Sequence, residues 1–192
     1  MSQLCRAIIL ITSFASVGCG LNASERQWQR SVDRQVAQLG HRNWIIVSEA
    51  SFPAHSREGI NQVVAPAEIP EVLDYVLNSI EQHQQVYPEI YLTRELRALD
   101  QDYAPGIDQF RHEITYALHG YKPTEIQQDS LMTLIESANQ RFDVLVIRTA
   151  TVLPYSSVFM ELKPSYWDSD AENHLRQKIS KQRTEKLAQP VP

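Results

Sequence analysis

The sequence has few of the residues that staple a chain or cradle a phosphate. Two of its 192 residues are cysteine and six are glycine. Two cysteines cannot build a disulfide framework or a four-thiolate zinc site. The glycines are scattered, and none forms a GxGxxG or GxxxxGK loop. HExxH and GxSxG are missing too, which removes the zinc-protease helix and the nucleophile elbow. His112 and His119 lie seven residues apart, about 10 Å along a helix. That is too far for one metal, so they read as surface or packing side chains. Positive charge is also in deficit, with 18 Lys and Arg against 23 Asp and Glu and a net charge of −5. A general binder of nucleic acid or anionic membrane surface is thereby excluded.

What remains is ordinary globular material, 43% hydrophobic and 21% charged, with no low-complexity tract. Its length suits one domain with terminal additions. The first of these is an address. Met1 to Arg6 is short and basic, and Ala7 to Gly18 is an uncharged twelve-residue run. A bilayer-spanning helix needs about 20 apolar residues, so a secretory signal is the better reading. Its end, Ser16-Val17-Gly18-Cys19, resembles a lipoprotein processing box with Ser16 where Leu is usual. Residues 1–18 are therefore expected to be a signal peptide and Cys19 the site of lipidation. Cys5 would leave with the signal. The protein is expected to be exported and held by a lipid anchor facing the periplasm or cell exterior, or secreted if not lipidated.

Periodicity organises the rest. Asn22 or Ser24 can cap a helix to about Leu39, with Trp28, Val32, Val36 and Leu39 on one face and Gly40 as its left-handed stop. His41 follows, then a buried strand at Trp44-Ile45-Ile46-Val47. Bends at Pro53, Pro66 and Pro70 lead to a helix near 71–83. A strand is predicted at 89–96, helices at 108–118 and 129–141, and strands at 144–148 and 158–162. Alternating strands and helices predict an α/β fold, a single layered domain with a mixed β-sheet flanked by helices, over 24–162. Residues 163–192 read as a charged helical extension with a thin stripe of Leu175, Ile179 and Leu187. It is either solvated or packed on a partner.

His41 stands where a helix stops and a buried strand begins, with Glu49 eight residues on. In a straight strand the two share a face but lie roughly 26 Å apart. Direct contact would need the chain to fold back or a neighbouring subunit.

Leu39-Gly40-His41 and then Ile45-Ile46-Val47-Ser48-Glu49-Ala50-Ser51-Phe52-Pro53-Ala54-His55-Ser56 resemble the start of the RbsD/FucU family. A second block, Val146-Ile147-Arg148-Thr149 and Pro154-Tyr155-Ser156-Ser157-Val158, resembles that family's C-terminal Ile-Arg-Thr-Gly-Glu and Pro-Tyr-Ala-Asn stretch. The resemblance spans about residues 26–162. It implies chemistry on free monosaccharides, either anomer exchange or pyranose–furanose interconversion, with no metal or organic cofactor. Ring opening delivers a proton to the ring oxygen and removes one from the anomeric hydroxyl, and a histidine titrates in the right range for both. By resemblance His41 is that catalytic acid/base. Glu49 takes the place of a sugar-holding Asp, Tyr155 matches a substrate-contacting Tyr, and Arg148 and Ser157 complete the expected binding set. Glu49 is one methylene longer than the family Asp. Ala150-Thr151 stands for Gly-Glu, and Ser157 stands for Asn. The resemblance also implies a homo-oligomer with sites near subunit contacts. A non-catalytic sugar-binding or assembly protein on the same fold is the alternative.

Overall fold

The computed structural model describes residues 21–53 and 58–187. The elements run α1 (Leu21–Val36), β1 (Trp44–Ser48), β2 (Ile60–Val64), α2 (Ile69–His83), β3 (Val86–Thr93), α3 (Arg94–Ala98), α4 (Ile107–Ala117), β4 (Thr124–Ile126), α5 (Gln128–Ala138), β5 (Val144–Arg148), β6 (Val158–Pro164) and α6 (Ser169–Leu187). The six strands form one sheet in the order β2-β5-β1-β6-β3-β4. β1, β5 and β2 are parallel, whereas β6 is antiparallel to both of its neighbours, β1 and β3. The expected α/β fold with a mixed sheet between helices is the one observed.

The two faces of the sheet are covered unequally. β1 is buried along its whole length because alternate residues feed separate cores. Ile45 and Val47 join Leu145, Ile147, Met160 and Leu162 beneath α1, α2 and α4. Trp44 and Ile46 join Val144, Val146 and Phe159 beneath Leu131 and Ile135 of α5. α1 contributes the face its periodicity predicts, Trp28, Val32 and Val36. It is tied to α2 by Asp33, whose carboxylate accepts bonds from Tyr75 Oη at 2.7 Å and Ser79 Oγ at 2.9 Å. Burial and the Asp33 carboxylate push the Tyr75 phenol up to about 12.

Several local expectations are corrected. Gly40 is not left-handed; Arg42 is, with φ 73°. The Gly40 amide donates to Asn43 Oδ1 at 2.8 Å, and Arg42 N–H donates to the Leu162 carbonyl at 2.8 Å. The turn is thus fixed by Asn43 and β6 rather than by glycine. The strand expected at 89–96 ends at Thr93, where the threonine hydroxyl accepts the Leu96 amide and starts α3. β2 and β4 were not expected. α6 is a separate matter of balance. It is charged all round, and its apolar Leu175 and Ile179 stay exposed.

Candidate functional site

The sheet presents two ends, and the predicted residues divide between them. At the C-terminal ends of β1 and β5, register sets Ser48 beside Arg148. Thr149 continues the pairing, donating from both its amide and its hydroxyl to the Ser48 carbonyl, at 2.9 and 2.8 Å. Ala50 N–H then donates to the Thr151 carbonyl at 2.8 Å. These bonds bring the loop after β5 over the end of β1 and seat Ser157 on Glu49. The Glu49 amide donates to Ser157 Oγ at 3.3 Å, and the Ser157 hydroxyl donates to Glu49 Oε2. Burial pushes the Glu49 carboxyl up, partly offset by its own backbone N–H. Its lone pairs and raised proton affinity suit a group that holds a hydroxyl.

Tyr155 lies two residues before Ser157. It is held left-handed, φ 57°, with its carbonyl accepting Thr93 Oγ1 at 3.0 Å and its side chain reaching solvent. A tyrosine with positive φ is backbone strain that the surroundings must enforce. Arg148, the last residue of β5, is half-buried between Ser48 and Val64. Glu49, Ser157, Tyr155 and Arg148 therefore share one end of the sheet. Ala54, His55 and Ser56 of the first resemblance block lie outside the described residues, as do Cys19 and the signal segment.

His41 is at the other end of β1. It is exposed on the Gly40–Asn43 turn, where its Nε2 accepts a bond from Arg42 Nε at 3.2 Å. The turn is rigid. Asn43 is bonded to β6 through the Leu162 amide, and the Arg42 guanidinium sits 5.7 Å from the Phe142 ring centre. Within one chain the structure does not bring His41 to Glu49. Among the described residues no group of three His, Cys, Asp or Glu side chains could hold a metal.

Residues 28–162 match the family described as the RbsD / FucU transport protein family. The chain belongs to the RbsD/FucU family. The structure of Bacillus subtilis RbsD complexed with D-ribose superposes with a TM-score of 0.50 at 13% identity, over 68% of this chain and 89% of that one. A fucose mutarotase in complex with L-fucose from Streptococcus pneumoniae gives 0.45 at 16%, over 67% and 87%. FucU from Bifidobacterium longum gives 0.45 at 12%, over 69% and 92%. No curated protein sequence matches the chain.

Two departures from the RbsD/FucU pattern acquire a physical account. The longer Glu49 and the shorter Ser157 touch each other, so the added methylene on one side is matched by the lost amide on the other. Thr151 is buried and points elsewhere. Its hydroxyl accepts the Ile69 amide at 2.9 Å and donates to Glu68, anchoring the start of α2. Glu68 was not anticipated, and a carboxylate one residue before a helix is the signal that identifies it.

Sequence reasoning also missed a cleft at the His41 end. Tyr87, Glu89 and Tyr91 of β3 and Glu161 and Lys163 of β6 share the sheet face that α5 covers only in part. Glu89 and Glu161 are directly opposed, a repulsive pairing in a sheet. Lys163 Nζ resolves it, 2.8 Å from Glu161 and 3.2 Å from Glu89. Burial pulls the Lys163 ammonium down, but the two carboxylates outweigh it and leave it above its ordinary value. Tyr91, stacked on Trp44 at 5.5 Å, is raised by burial and by the same two carboxylates. The clue was period-two charge in Glu161 and Lys163 beyond apolar Phe159.

Proposed function

We propose that this protein interconverts the anomers or ring forms of a free monosaccharide. The observation that carries the reading is the meeting of the two family blocks. Glu49 and Ser157 are 108 residues apart in sequence and bonded in the fold, at the edge where Tyr155 and Arg148 also emerge. A hydroxylated ring placed there would exchange hydrogen bonds with the Glu49 carboxyl, the Tyr155 hydroxyl and the Arg148 guanidinium.

His41 supplies the proton transfer. It is the acid toward the ring oxygen and the base toward the anomeric hydroxyl, in alternation, and its exposure on a fixed turn suits it to reach a ligand. Because His41 and Glu49 occupy opposite ends of β1, the complete site takes His41 from one subunit and Glu49, Tyr155 and Ser157 from its neighbour in a homo-oligomer. The remaining elements of the reading are export through residues 1–18 and a lipid on Cys19.

Purified protein tests the activity by magnetisation-exchange NMR on pentoses, hexoses and 6-deoxy sugars. Accelerated exchange of at least one sugar is expected, and His41→Ala should lower that rate about 10²–10⁴-fold, the usual contribution of a general acid–base. No acceleration of any sugar, or a rate indifferent to His41→Ala, overturns the reading. One observation favours the alternative of a binding protein without turnover: Thr151, in place of an acidic residue, is buried and committed to α2. Sugar binding without exchange would establish it.

A further inference from the structure

The family match ends at Leu162, and the next ten residues build something on the His41 end that the matched segment does not contain. Lys163, Trp167 and Glu172 line a cleft of about 920 Å³ whose other walls include His41, Arg42 and Tyr87. That volume is at the upper end for small-molecule sites and exceeds what one sugar ring requires.

The walls are organised. Trp167 is 41% exposed, yet its indole Nε1–H donates to Glu172 Oε2 at 2.9 Å. The other Glu172 oxygen accepts Arg176 Nε at 2.6 Å. Both bonds hold the Glu172 carboxyl below the usual carboxylate range, with the indole as the larger cause. The ring is therefore an exposed aromatic plate held in place before any ligand arrives, so little ordering is lost on binding. Across from it, Lys163 between Glu161 and Glu89 offers alternating donors and acceptors. Four carboxylates, Glu89, Glu161, Asp168 and Glu172, stand against the three cations Arg42, Lys122 and Lys163 around the cleft, with no net positive charge to draw phosphates or nucleotides, which favours a neutral polyol. An apolar plate facing a row of fixed hydrogen-bonding groups is complementary to a sugar ring, which has a C–H face and a rim of hydroxyls.

We infer that residues 163–172 form a second-ring subsite, so that besides a free monosaccharide the protein takes the free reducing end of a neutral disaccharide or longer oligosaccharide. The reducing ring lies at His41 and the next ring on Trp167. The inference rests on the ring-exchange reading for the place of the first ring, but the subsite itself is a matter of binding.

The test titrates the full chain with maltose, cellobiose and lactose, and with glucose alone, following the Trp167 indole N–H by NMR. The resonance is assigned by its loss in Trp167→Phe. At least one disaccharide should shift it and bind about tenfold or more tightly than glucose, the scale of an anchoring aromatic. Trp167→Ala should abolish that preference, and Glu172→Ala, which frees the indole, should weaken it. If no disaccharide moves the resonance, or the preference survives Trp167→Ala, the inference is overturned. A disaccharide that binds at Trp167 while no sugar shows accelerated exchange supports the subsite and refutes the ring-exchange reading instead.

Discussion

Glu49 and Ser157 hold the end of β1 by a reciprocal pair of bonds, and substitutions there should behave as a unit. Ser157→Ala removes the partner of both the Glu49 amide and its carboxyl, groups already drawn out of water. A loss of about 1–3 kcal/mol is expected in a denaturant melt, the cost of stranding buried polar groups. Glu49→Asp alone withdraws the carboxylate from Ser157 and should lower sugar exchange. Glu49→Asp with Ser157→Asn restores the family pair and should recover more exchange than either single change. The pH dependence has a definite sign. The folded-state carboxyl of Glu49 is raised, so between its unfolded and folded values the native state binds more protons than the unfolded chain. Its contribution to stability therefore falls as pH rises through that window. Glu49→Gln, which carries no charge, should be stabilised relative to wild type at neutral pH, with the difference vanishing on acidification below the unfolded carboxyl value; melts at several pH values check this.

At the scale of elements, hydrophobic period was enough for α1, α2, α4, α5, β1, β5 and β6, because each repeats buried residues at its own spacing. It failed where burial is one-sided or the element is short. β2 carries exposed Asn61 and Gln62 and has neighbours only on one side, and β4 has three residues. α3 was hidden because Arg94 and Glu95 look like a charged strand end until Thr93 is seen to cap them. The Glu49–Ser157 contact could not be read from either block alone, since only the register of β1 with β5 and β6 brings them together. The His41 cleft depends on β3–β6 pairing and on the path of residues 163–172, of which the period-two charge of Glu161 and Lys163 is the one local sign. Packing makes α2 the element whose damage should cost most. Leu77 is fully buried under the sheet, so Leu77→Ala should cost about 2–5 kcal/mol in a denaturant melt. Removing residues 173–187 should leave the melting transition of the sheet domain in place, because residues 173–184 of α6 lie exposed.

For the whole molecule, the separation of His41 from Glu49 along β1 is the fact that any mechanism must meet. A single chain carries the proposed acid/base, His41, at one end and the proposed sugar-holding carboxyl, Glu49, at the other. In the proposed homo-oligomer, a ring of subunits in head-to-tail contact would join them, since a heterologous interface sets one end of a subunit against the other end of the next. The proposed export adds a second prediction at this scale: mass spectrometry of protein from its native host should find residues 1–18 removed and a lipid on Cys19, and an intact Met1 terminus would contradict it. The shared site is tested most directly by complementation. His41→Ala and Glu49→Ala are each prepared as inactive protein, unfolded together, refolded as mixed oligomers and assayed for sugar exchange by NMR. In a mixed oligomer some contacts join an intact His41 to an intact Glu49, so exchange should return to a measurable fraction of the wild-type rate. Mixed oligomers that form but remain as inactive as either parent would contradict the account.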